Sequence, residues 1–542
     1  TANRLDAGLS SGFKTEVFKT TTYPEVKAYA VTGLYQQEPE TYREIIDAWL
    51  DEEDITERKA GVIAAGESGE AHYISRLEKM LGTEKNGPIL PFVLTGLHRL
   101  GAPDMNALVH PYLSHPMESV RMAALEAFDI ENDENLRTVI ALLNDPSNRV
   151  HEKAKHKIES ASYQNAQLLV ESLTIPRRKV RDGLFYLLES MDIKNLDVFR
   201  AARFQLERSY RNMAEAETVR LLPESRERDL LLDHLEQKSK GRLENALRVL
   251  ATQDRSGQMR TIWRGISSAD HRQRSNSLEA LDDLLDPSLS KIMMPLLEDL
   301  PPSQCLAVGR KNFKLPNFDS DPAAIYPHLL AKQNWVTVVL TLYLVSHHGV
   351  DEAVRDAVKD LTGSKSVYIC QMAQCVFDLK QDRPEKKEDG MGTEISIPDK
   401  ILHLRRIQIF EGLSITELAA VASVTEEIVF QPDETVIKEG EPGETMYLII
   451  EGEVSVHKGR EQGREIELDR ISAGDYFGEM ALFEDIPRSA TIRTQRETRL
   501  LMLHKREFTE IVREYPQIAL HICRVLGARL RKLHEKVKRN EQ

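Results

Sequence analysis

The sequence has few of the features that mark secreted or membrane-spanning proteins. Its 542 residues include only four cysteines, none in a CxxC pair, which excludes a disulfide framework and favours a reducing, cytoplasmic compartment. The longest apolar run, at 335–345, is too short to cross a bilayer and predicts a buried helix. Aromatic residues make up 6% of the chain, while Leu, Ala, Glu and Arg are abundant, so helix is favoured.

Motifs of common enzymes are also missing. The sequence has no HExxH, Walker A, GxSxG or kinase signature and no GxGxxG after a predicted strand, so we expect no enzymatic activity. His347 and His348 lie beside Gly349 and predict a helix end rather than a metal site. The net charge of −14 argues against nucleic acid as a partner. The chain after the last predicted helix is also too short for a DNA-reading helix-turn-helix.

What the sequence does contain is an internal repeat of 30 residues. Segments 115–125, 145–154 and 175–184 each place a proline, a valine and a basic residue at the same offsets. Proline is tolerated in the first turn of a helix, and the valine begins an apolar stripe at helical spacing. Helix pairs with one apolar face must stack on their neighbours, so the pattern predicts a solenoid. It resembles HEAT repeats in a short form.

The organisation of the chain changes after a charged segment. We predict a HEAT-like α-solenoid over 1–380, a linker over 381–397 and a further domain over 398–542. The linker prediction rests on QDRPEKKEDGMG at 381–392, which is rich in charged residues and poor in apolar ones. Beyond it, short apolar segments separated by Gly, Pro and Asp predict a small barrel or sandwich of strands, followed by helix.

One segment of the C-terminal region has the residues needed to bind a sugar phosphate. It is FGEMALFEDIPRSAT, at 477–491. Gly478 lets the backbone approach a ligand, and N–H groups at the start of a short helix can bind an anion. Arg488 offers a planar guanidinium for phosphate oxygens. Glu479 can accept a hydrogen bond from a sugar hydroxyl, and Ser489 adds a hydroxyl donor.

This segment resembles the phosphate-binding cassette of cyclic nucleotide-binding domains. The family pattern F-G-E-hydrophobic-A-L-x4-P-R-small-A-Thr/Val is matched without a gap. Upstream, glycines at 440, 443 and 452 match the family's β-roll, so the resemblance covers 401 to about 538. The fold class it implies is a multidomain protein, with an all-α HEAT-like solenoid followed by a jelly-roll-like β-roll domain with flanking helices.

The resemblance also implies a ligand, cAMP or cGMP, with no metal. Glu479 would hold the ribose 2′-hydroxyl, and Arg488 would hold the cyclic phosphate together with the backbone amides of Gly478, Met480 and Ala481. Related bacterial activators place two hydroxyl residues of the last helix against adenine, where this chain has Leu533 and His534, so the base preference stays open. The site residues implied in this way are Phe477, Gly478, Glu479, Met480, Ala481, Arg488, Ser489, Leu533 and His534.

The last predicted helix has an apolar stripe that allows three interpretations. Residues of this stripe, from 518 to 537, recur at helical spacing. The helix packs against its own β-roll, closes as a lid over the base, or forms the seam of a homodimer. In the second case, ligand binding moves the C-terminal helix and regulates a solenoid that binds a protein partner.

Two alternatives to this sensor remain. Helical repeats followed by a cyclic nucleotide-binding domain resemble the cytosolic extension of bacterial transporters related to ATP/ADP translocases. A fused or associated membrane transporter domain would place the chain on the cytosolic face of a membrane, and a first residue Thr rather than Met is compatible with that. The other alternative is a degenerate domain that only mediates protein interactions, although such domains usually lose the Glu or the Arg. A catalytic HEAT-like protein such as a bilin lyase has no supporting residues.

Overall fold

The computed structural model describes residues 16–540 of the chain with several gaps. The residues not described within this range are 18, 36–37, 84–86, 174, 176–177, 192–196, 253, 255–256, 299, 319, 349–351, 379–394 and 460–464. Side chains are also not described at 178, 514, 529–530 and 532–540. All but the last three residues of the predicted linker at 381–397 therefore lie outside the described residues, as does Gly349.

The chain divides into two units, one of 1–201 with 248–257 and one of 202–247 with 258–542. The predicted boundaries at 380 and 398 stay a prediction, but this division differs from them. Helices of the predicted solenoid belong to the same unit as the C-terminal strands, because the two share one hydrophobic cluster.

The first unit is a series of short helices. They are α1 (Pro24–Tyr35), α2 (Pro39–Asp51), α3 (Ile55–Glu67), α4 (Ile74–Thr83), α5 (Leu90–Arg99), α6 (Met105–Val109), α7 (Glu118–Ala127), α8 (Asp133–Leu142), α9 (Asn148–Ser160), α10 (Ala166–Ser172) and α11 (Arg178–Ser190), with 3-10 turns at Ala71–Tyr73 and His110–Ser114.

Alternate helices of this unit stack on one another. The helices α1, α3, α5, α7, α9 and α11 form one row, in which each contacts the next, while α2, α4, α8 and α10 pack on members of that row. The repeat seen in the sequence sets this register, because Val120, Val150 and Val180 occupy the third position of α7, α9 and α11 and are buried. Stacked helix pairs are therefore present, and the HEAT-like assignment stays a prediction.

The repeat prolines lie slightly earlier than expected. Pro116 and Pro146 precede α7 and α9 instead of lying in their first turns. In α9 the N-cap is Ser147, whose Oγ accepts a hydrogen bond of 3.2 Å from the N–H of Arg149, so the helix begins two residues after Pro146. The N-cap of α7 is Met117, directly after Pro116.

The basic residue of the first of these repeats, Arg121, forms a buried ion pair with the next repeat. Arg121 Nε lies 2.7 Å from Asp145 Oδ2, and its Nη2 donates to Oδ1 at 2.8 Å. The remaining nitrogen, Nη1, donates to the carbonyls of His115 and Pro116. Lys179 of the next repeat donates to the Asp145 carbonyl at 2.6 Å. Polar contacts at Arg121 and Lys179 therefore link the repeat that contains Asp145 to the repeats on either side, and the repeat valines are buried in the apolar core.

The second unit combines longer helices with two sheets. It contains most of α12 (Val198–Arg220) and α13 (Arg226–Ala251), and the helices α14 (Gln258–Ile266), α15 (His271–Leu284), α16 (Pro287–Leu297), α17 (Pro302–Asn312), α18 (Ile325–Leu330), α19 (Trp335–His348), α20 (Glu352–Leu361) and α21 (Val367–Asp378). The apolar run at 335–345 lies in α19 and is buried from Val336 to Val345, as predicted. Of the helices described, none combines the length and the apolar character that a membrane span requires.

The C-terminal part is a pair of antiparallel sheets with helices before and after them. The helices are α22 (Ile397–Leu404), a 3-10 turn (Gln408–Phe410), α23 (Ile415–Ala422), α24 (Lys505–Glu514) and α25 (Pro516–Asn540). The strands are β1 (Glu426–Phe430), β2 (Thr435–Ile437), β3 (Thr445–Glu451), β4 (Glu453–Gly459), β5 (Glu465–Ser472), β6 (Tyr476–Phe477), β7 (Thr491–Thr494) and β8 (Thr498–His504). The sheet orders are β1-β8-β3-β6 and β2-β7-β4-β5.

Strand β3 lies between β8 and β6 in its sheet and is buried on both faces. Tyr447 and Ile449 point into the core between the two sheets, where Phe477 and Leu500 also lie. Alternate residues such as Met446 pack on the flanking helices instead. The prediction of a small two-sheet domain with helices around it is confirmed.

Candidate functional site

The cassette segment forms a tight turn and a short helix between β6 and β7. Gly478 follows β6 with a φ of 75°, a left-handed conformation that glycine adopts without strain, and a 3-10 helix covers Glu479–Leu482. A Cβ atom at Gly478 would lie 2.9 Å from Arg488 Nη1 and 3.1 Å from the Thr445 carbonyl. Both backbone conformation and space therefore require glycine here.

Arg488, near the end of the cassette segment, is held by a hydroxyl and a carbonyl group, which are neutral and do not balance its charge. Its Nη2 donates to Thr445 Oγ1 at 2.8 Å, and its Nη1 donates to the Gly478 carbonyl at 3.4 Å. The side chain is about half buried, and this burial lowers the pKa of the guanidinium, while Tyr447 opposes the shift. Among the described residues, Arg488 forms no ion pair with a carboxylate. A fixed, partly desolvated cation without a counter-charge is suited to binding an anion.

The loop before β3 fixes the backbone of Arg488. The Arg488 N–H donates to the Glu441 carbonyl at 2.8 Å, and the Arg488 carbonyl accepts from the Gly440 N–H at 2.9 Å. The guanidinium then lies against Gly443, where a Cβ atom would overlap it. A pocket of about 200 Å³ opens beside it. Its lining residues are Val436, Ile437, Lys438, Glu441, Pro442, Gly443, Glu444, Thr445, Tyr447 and Arg488.

The remaining predicted site residues occupy different environments. Phe477 is buried and stacks on Tyr447 with ring centroids 5.3 Å apart, so it belongs to the core between the sheets. Glu479 is half-buried, whereas Met480 and Ser489 are exposed and could meet a ligand. Ala481 is buried behind the 3-10 helix and offers its backbone only.

The structure brings only part of the predicted set to the pocket. Of those predicted residues whose side chains are described, Arg488 lines the pocket. Gly478 contacts Arg488 through its carbonyl, and Glu479 is not among the lining residues. Leu533 and His534 lie on α25, but their side chains are outside the described residues. Their predicted contact with the base therefore stays a prediction.

Two residues that hold the site were not predicted from the sequence. Thr445 binds Arg488, and Tyr447 lines the pocket and supports Phe477. Both lie on the same face of β3, two residues apart. Because alternate residues of a strand share a face, the sequence alone can indicate that these two side chains lie together. The sequence did not reveal that β3 lies beside β6, which is what brings this face to the cassette.

A substitution at Gly443 tests whether the position of Arg488 matters. We expect Gly443→Ala to weaken anion or nucleotide binding about tenfold, since a displaced guanidinium loses at least one charge-assisted hydrogen bond. The Cβ atom would occupy the place of the guanidinium, while the backbone of Gly443 needs no left-handed conformation. Isothermal titration calorimetry of the full chain measures the change.

The matched control is Gly459→Ala in the same sheet domain. A Cβ atom there lies 3.5 Å from Glu439 Oε2, which is ordinary van der Waals contact. We expect this variant to bind as the unchanged chain does. Equal binding by both variants would contradict the assigned role of Gly443.

Metal ligation has no support in the described part of the chain. Within it, no group of three or more His, Cys, Asp or Glu side chains is arranged to hold a metal ion.

Comparisons with known proteins support the identity of this domain. Residues 427–515 match the family model of the cyclic nucleotide-binding domain. The chain is similar to the CRP-like cAMP-activated global transcriptional regulator of Mycobacterium tuberculosis (strain ATCC 25618 / H37Rv), with 33% identity over 129 residues, or 24% of this chain and 58% of the relative. It is also similar to the cAMP-dependent protein kinase regulatory subunit of Mycosarcoma maydis, with 34% identity over 114 residues, or 20% of this chain and 22% of the relative.

A solved structure also matches a part of this chain of similar length. The co-crystal structure of the regulatory domain of Toxoplasma gondii PKA with cAMP is 28% identical, and the match covers 22% of this chain and 46% of that chain with a TM-score of 0.21. The chain thus spans less than two thirds of the length of these relatives. A cyclic nucleotide-binding domain lies at its C-terminal end, in 427–515, and the prediction is confirmed for this range.

Proposed function

We propose that the protein is a sensor for cAMP or cGMP, and that the ligand regulates a HEAT-like helical scaffold that binds a protein partner. The observation that carries this proposal is the half-buried Arg488, which has no carboxylate partner among the described residues and lies in a domain of the matching family. A cyclic phosphate is the anion that such a domain is built to accept. Both relatives are named for cAMP, so cAMP is the first ligand to test.

The cassette can hold the ligand through groups at both ends. Arg488 would bind the cyclic phosphate with its guanidinium, and the backbone N–H groups of Gly478, Met480 and Ala481 would add donors. The Glu479 carboxylate would accept a hydrogen bond from the ribose 2′-hydroxyl. Ser489 is exposed beside Arg488 and would contact the phosphate or the base.

Regulation requires that the ligand favour one arrangement of the domain. A ligand shifts an equilibrium only by its difference in affinity for the two states. We propose that α25 is the element that moves, because it is the last helix described after the strands and packs on the domain through Ile518 and Ile522. The role is regulatory rather than enzymatic in this proposal.

Calorimetric titration of the full chain with cAMP and with cGMP tests the proposal. We expect saturable binding of at least one nucleotide, with 5′-AMP binding far more weakly as a control for the cyclic phosphate. At a free ligand concentration of 100 times Kd, the binding unit should gain about 2.7 kcal/mol of stability, visible as a raised melting temperature. No heat and no thermal shift with either nucleotide at millimolar concentration would favour a degenerate domain.

A further inference from the structure

The cyclic nucleotide-binding domain shares its core with helices from earlier in the chain. Within the second unit, one hydrophobic cluster includes residues of α13, α19 and α21 together with residues of α22, α23, β3 and β8. Leu235, Leu342 and Leu404 are examples, and each is fully buried. A cluster of this kind fixes the packed elements relative to one another because interiors are close-packed.

Polar contacts fix α22 on α13 and α19. The Tyr343 hydroxyl of α19 donates to Asp399 Oδ1 at 2.5 Å, in the first turn of α22. Arg226 Nη2 of α13 lies 3.5 Å from the same carboxylate oxygen. At the other end of α22, Arg405 Nη1 lies 2.7 Å from Asp233 Oδ2 of α13. Both ends of α22 are therefore attached to the helical part.

The next helix is held in the same way. The Gln237 side chain of α13 accepts a hydrogen bond of 2.8 Å from the N–H of Ile415, the first residue of α23. At the C-terminal end of α23, the Tyr368 hydroxyl of α21 donates to the Ser423 carbonyl at 3.3 Å. Thus α22 and α23 each have a polar contact to the helical part at both ends.

The segment between α22 and α23 also receives α25. Gly412 has a φ of 87°, and a Cβ atom there would lie 3.1 Å from His521 Cε1 of α25. Ile518 and Ile522 of α25 belong to the same hydrophobic cluster as Phe410 and Leu413. The short segment 408–415 therefore contacts α25 and also, through Ile415, α13.

We infer that α13 and α19 are the helices to which the domain transmits the change in arrangement caused by ligand binding. Their contacts with α22 and α23 set the affinity of the domain for cyclic nucleotide. This inference rests on the proposed function. Coupling of this kind is reciprocal. The factor by which formation of the contact between α19 and α22 changes the Kd for ligand equals the factor by which bound ligand changes the equilibrium constant for forming that contact.

The test is Tyr343→Phe in the full chain, which removes the hydrogen bond to Asp399 and keeps the ring. We expect the Kd for cAMP, or for cGMP if only that nucleotide binds, to change by about twofold to thirtyfold, the range seen for substitutions that modulate coupling. Gln237→Ala, which removes the acceptor for the Ile415 N–H, should also change Kd by at least about twofold.

The matched control is Tyr163→Phe in the first unit. The Tyr163 hydroxyl donates to Asp133 Oδ1 at 2.7 Å, so this variant loses the same kind of bond far from the domain in sequence. We expect its Kd to stay within about twofold of the unchanged chain. The inference is overturned if Tyr343→Phe and Gln237→Ala both stay within that range as well.

Hydrogen exchange without nucleotide separates this inference from the proposed function. Tyr343→Phe should speed amide exchange in peptides that cover α22 and α23, and Tyr163→Phe should leave them unchanged. If Tyr343→Phe speeds amide exchange in α22 and α23 but the chain binds neither nucleotide, the proposed sensor function is refuted, while the contact between α19 and α22 is supported. Unchanged exchange would refute the contact itself, whatever the binding result.

Discussion

Arg488→Ala is expected to weaken cyclic nucleotide binding by at least about 100-fold. The guanidinium can donate two or three charge-assisted hydrogen bonds to a phosphate, each worth about 1.5–3 kcal/mol, and each 1.4 kcal/mol corresponds to a factor of ten in Kd. The loss should be large because Arg488 is half-buried and, among the described residues, has no carboxylate to compete with the ligand. Calorimetry on the full chain measures it.

Two variants sharpen this result. Arg488→Lys keeps the charge but loses the planar pair of donors, so we expect an intermediate loss of about tenfold. Arg493→Ala, on β7, is the matched control, because Arg493 is partly exposed and paired with Glu465 at 2.9 Å. We expect it to bind normally. If Arg488→Ala keeps the affinity of the unchanged chain, the site has been assigned to the wrong residues.

The second large effect concerns stability of the first unit. We expect Arg121→Ala to lower its free energy of unfolding by about 3–5 kcal/mol, since the Asp145 carboxylate would stay buried without its partner. The Arg121 and Asp145 side chains are only 9% and 4% exposed. Hydrogen exchange of peptides covering α7 and α9 measures the local loss.

The control for this effect lies in the same pair of repeats. Arg149 forms an ion pair with Glu118 at 2.9 Å, but its side chain is 78% exposed, so Arg149→Ala should cost less than about 1 kcal/mol. The double variant Arg121→Met with Asp145→Leu removes both buried charges and should regain most of the lost free energy of unfolding. Equal effects of Arg121→Ala and Arg149→Ala would show that burial of the pair does not matter.

Local patterns in the sequence predicted much of this structure. The valines at 120, 150 and 180 predicted the register of stacked helices because an apolar stripe depends only on neighbouring residues. The cassette at 477–491 likewise predicted the short helical turn that begins at Gly478, while the role of Arg488 stays a prediction. These features depend on short spacings, which a single sequence displays directly.

What could not be predicted depends on contacts between distant parts of the chain. Thr445 reaches Arg488 only because β3 and β6 are neighbours in one sheet, and the spacing of residues within a strand does not specify its neighbours. In the same way, nothing near Gln237 indicates that its side chain meets the start of α23, 178 positions further along. The predicted separation at 380–398 followed composition, whereas the shared core follows tertiary packing.

The shared core has a consequence for whether the C-terminal domain can be transferred to another protein. If the chain were cut before α22, the apolar faces of α22 and α23, including Ile401 and Leu418, would lose the cover of α13, α19 and α21. Uncovered apolar surface of that kind favours aggregation. The cyclic nucleotide-binding domain should therefore fold poorly outside this chain. Transfer of residues 397–542 alone to another protein should give a fragment that aggregates, and we expect these helices and the domain to be inherited together.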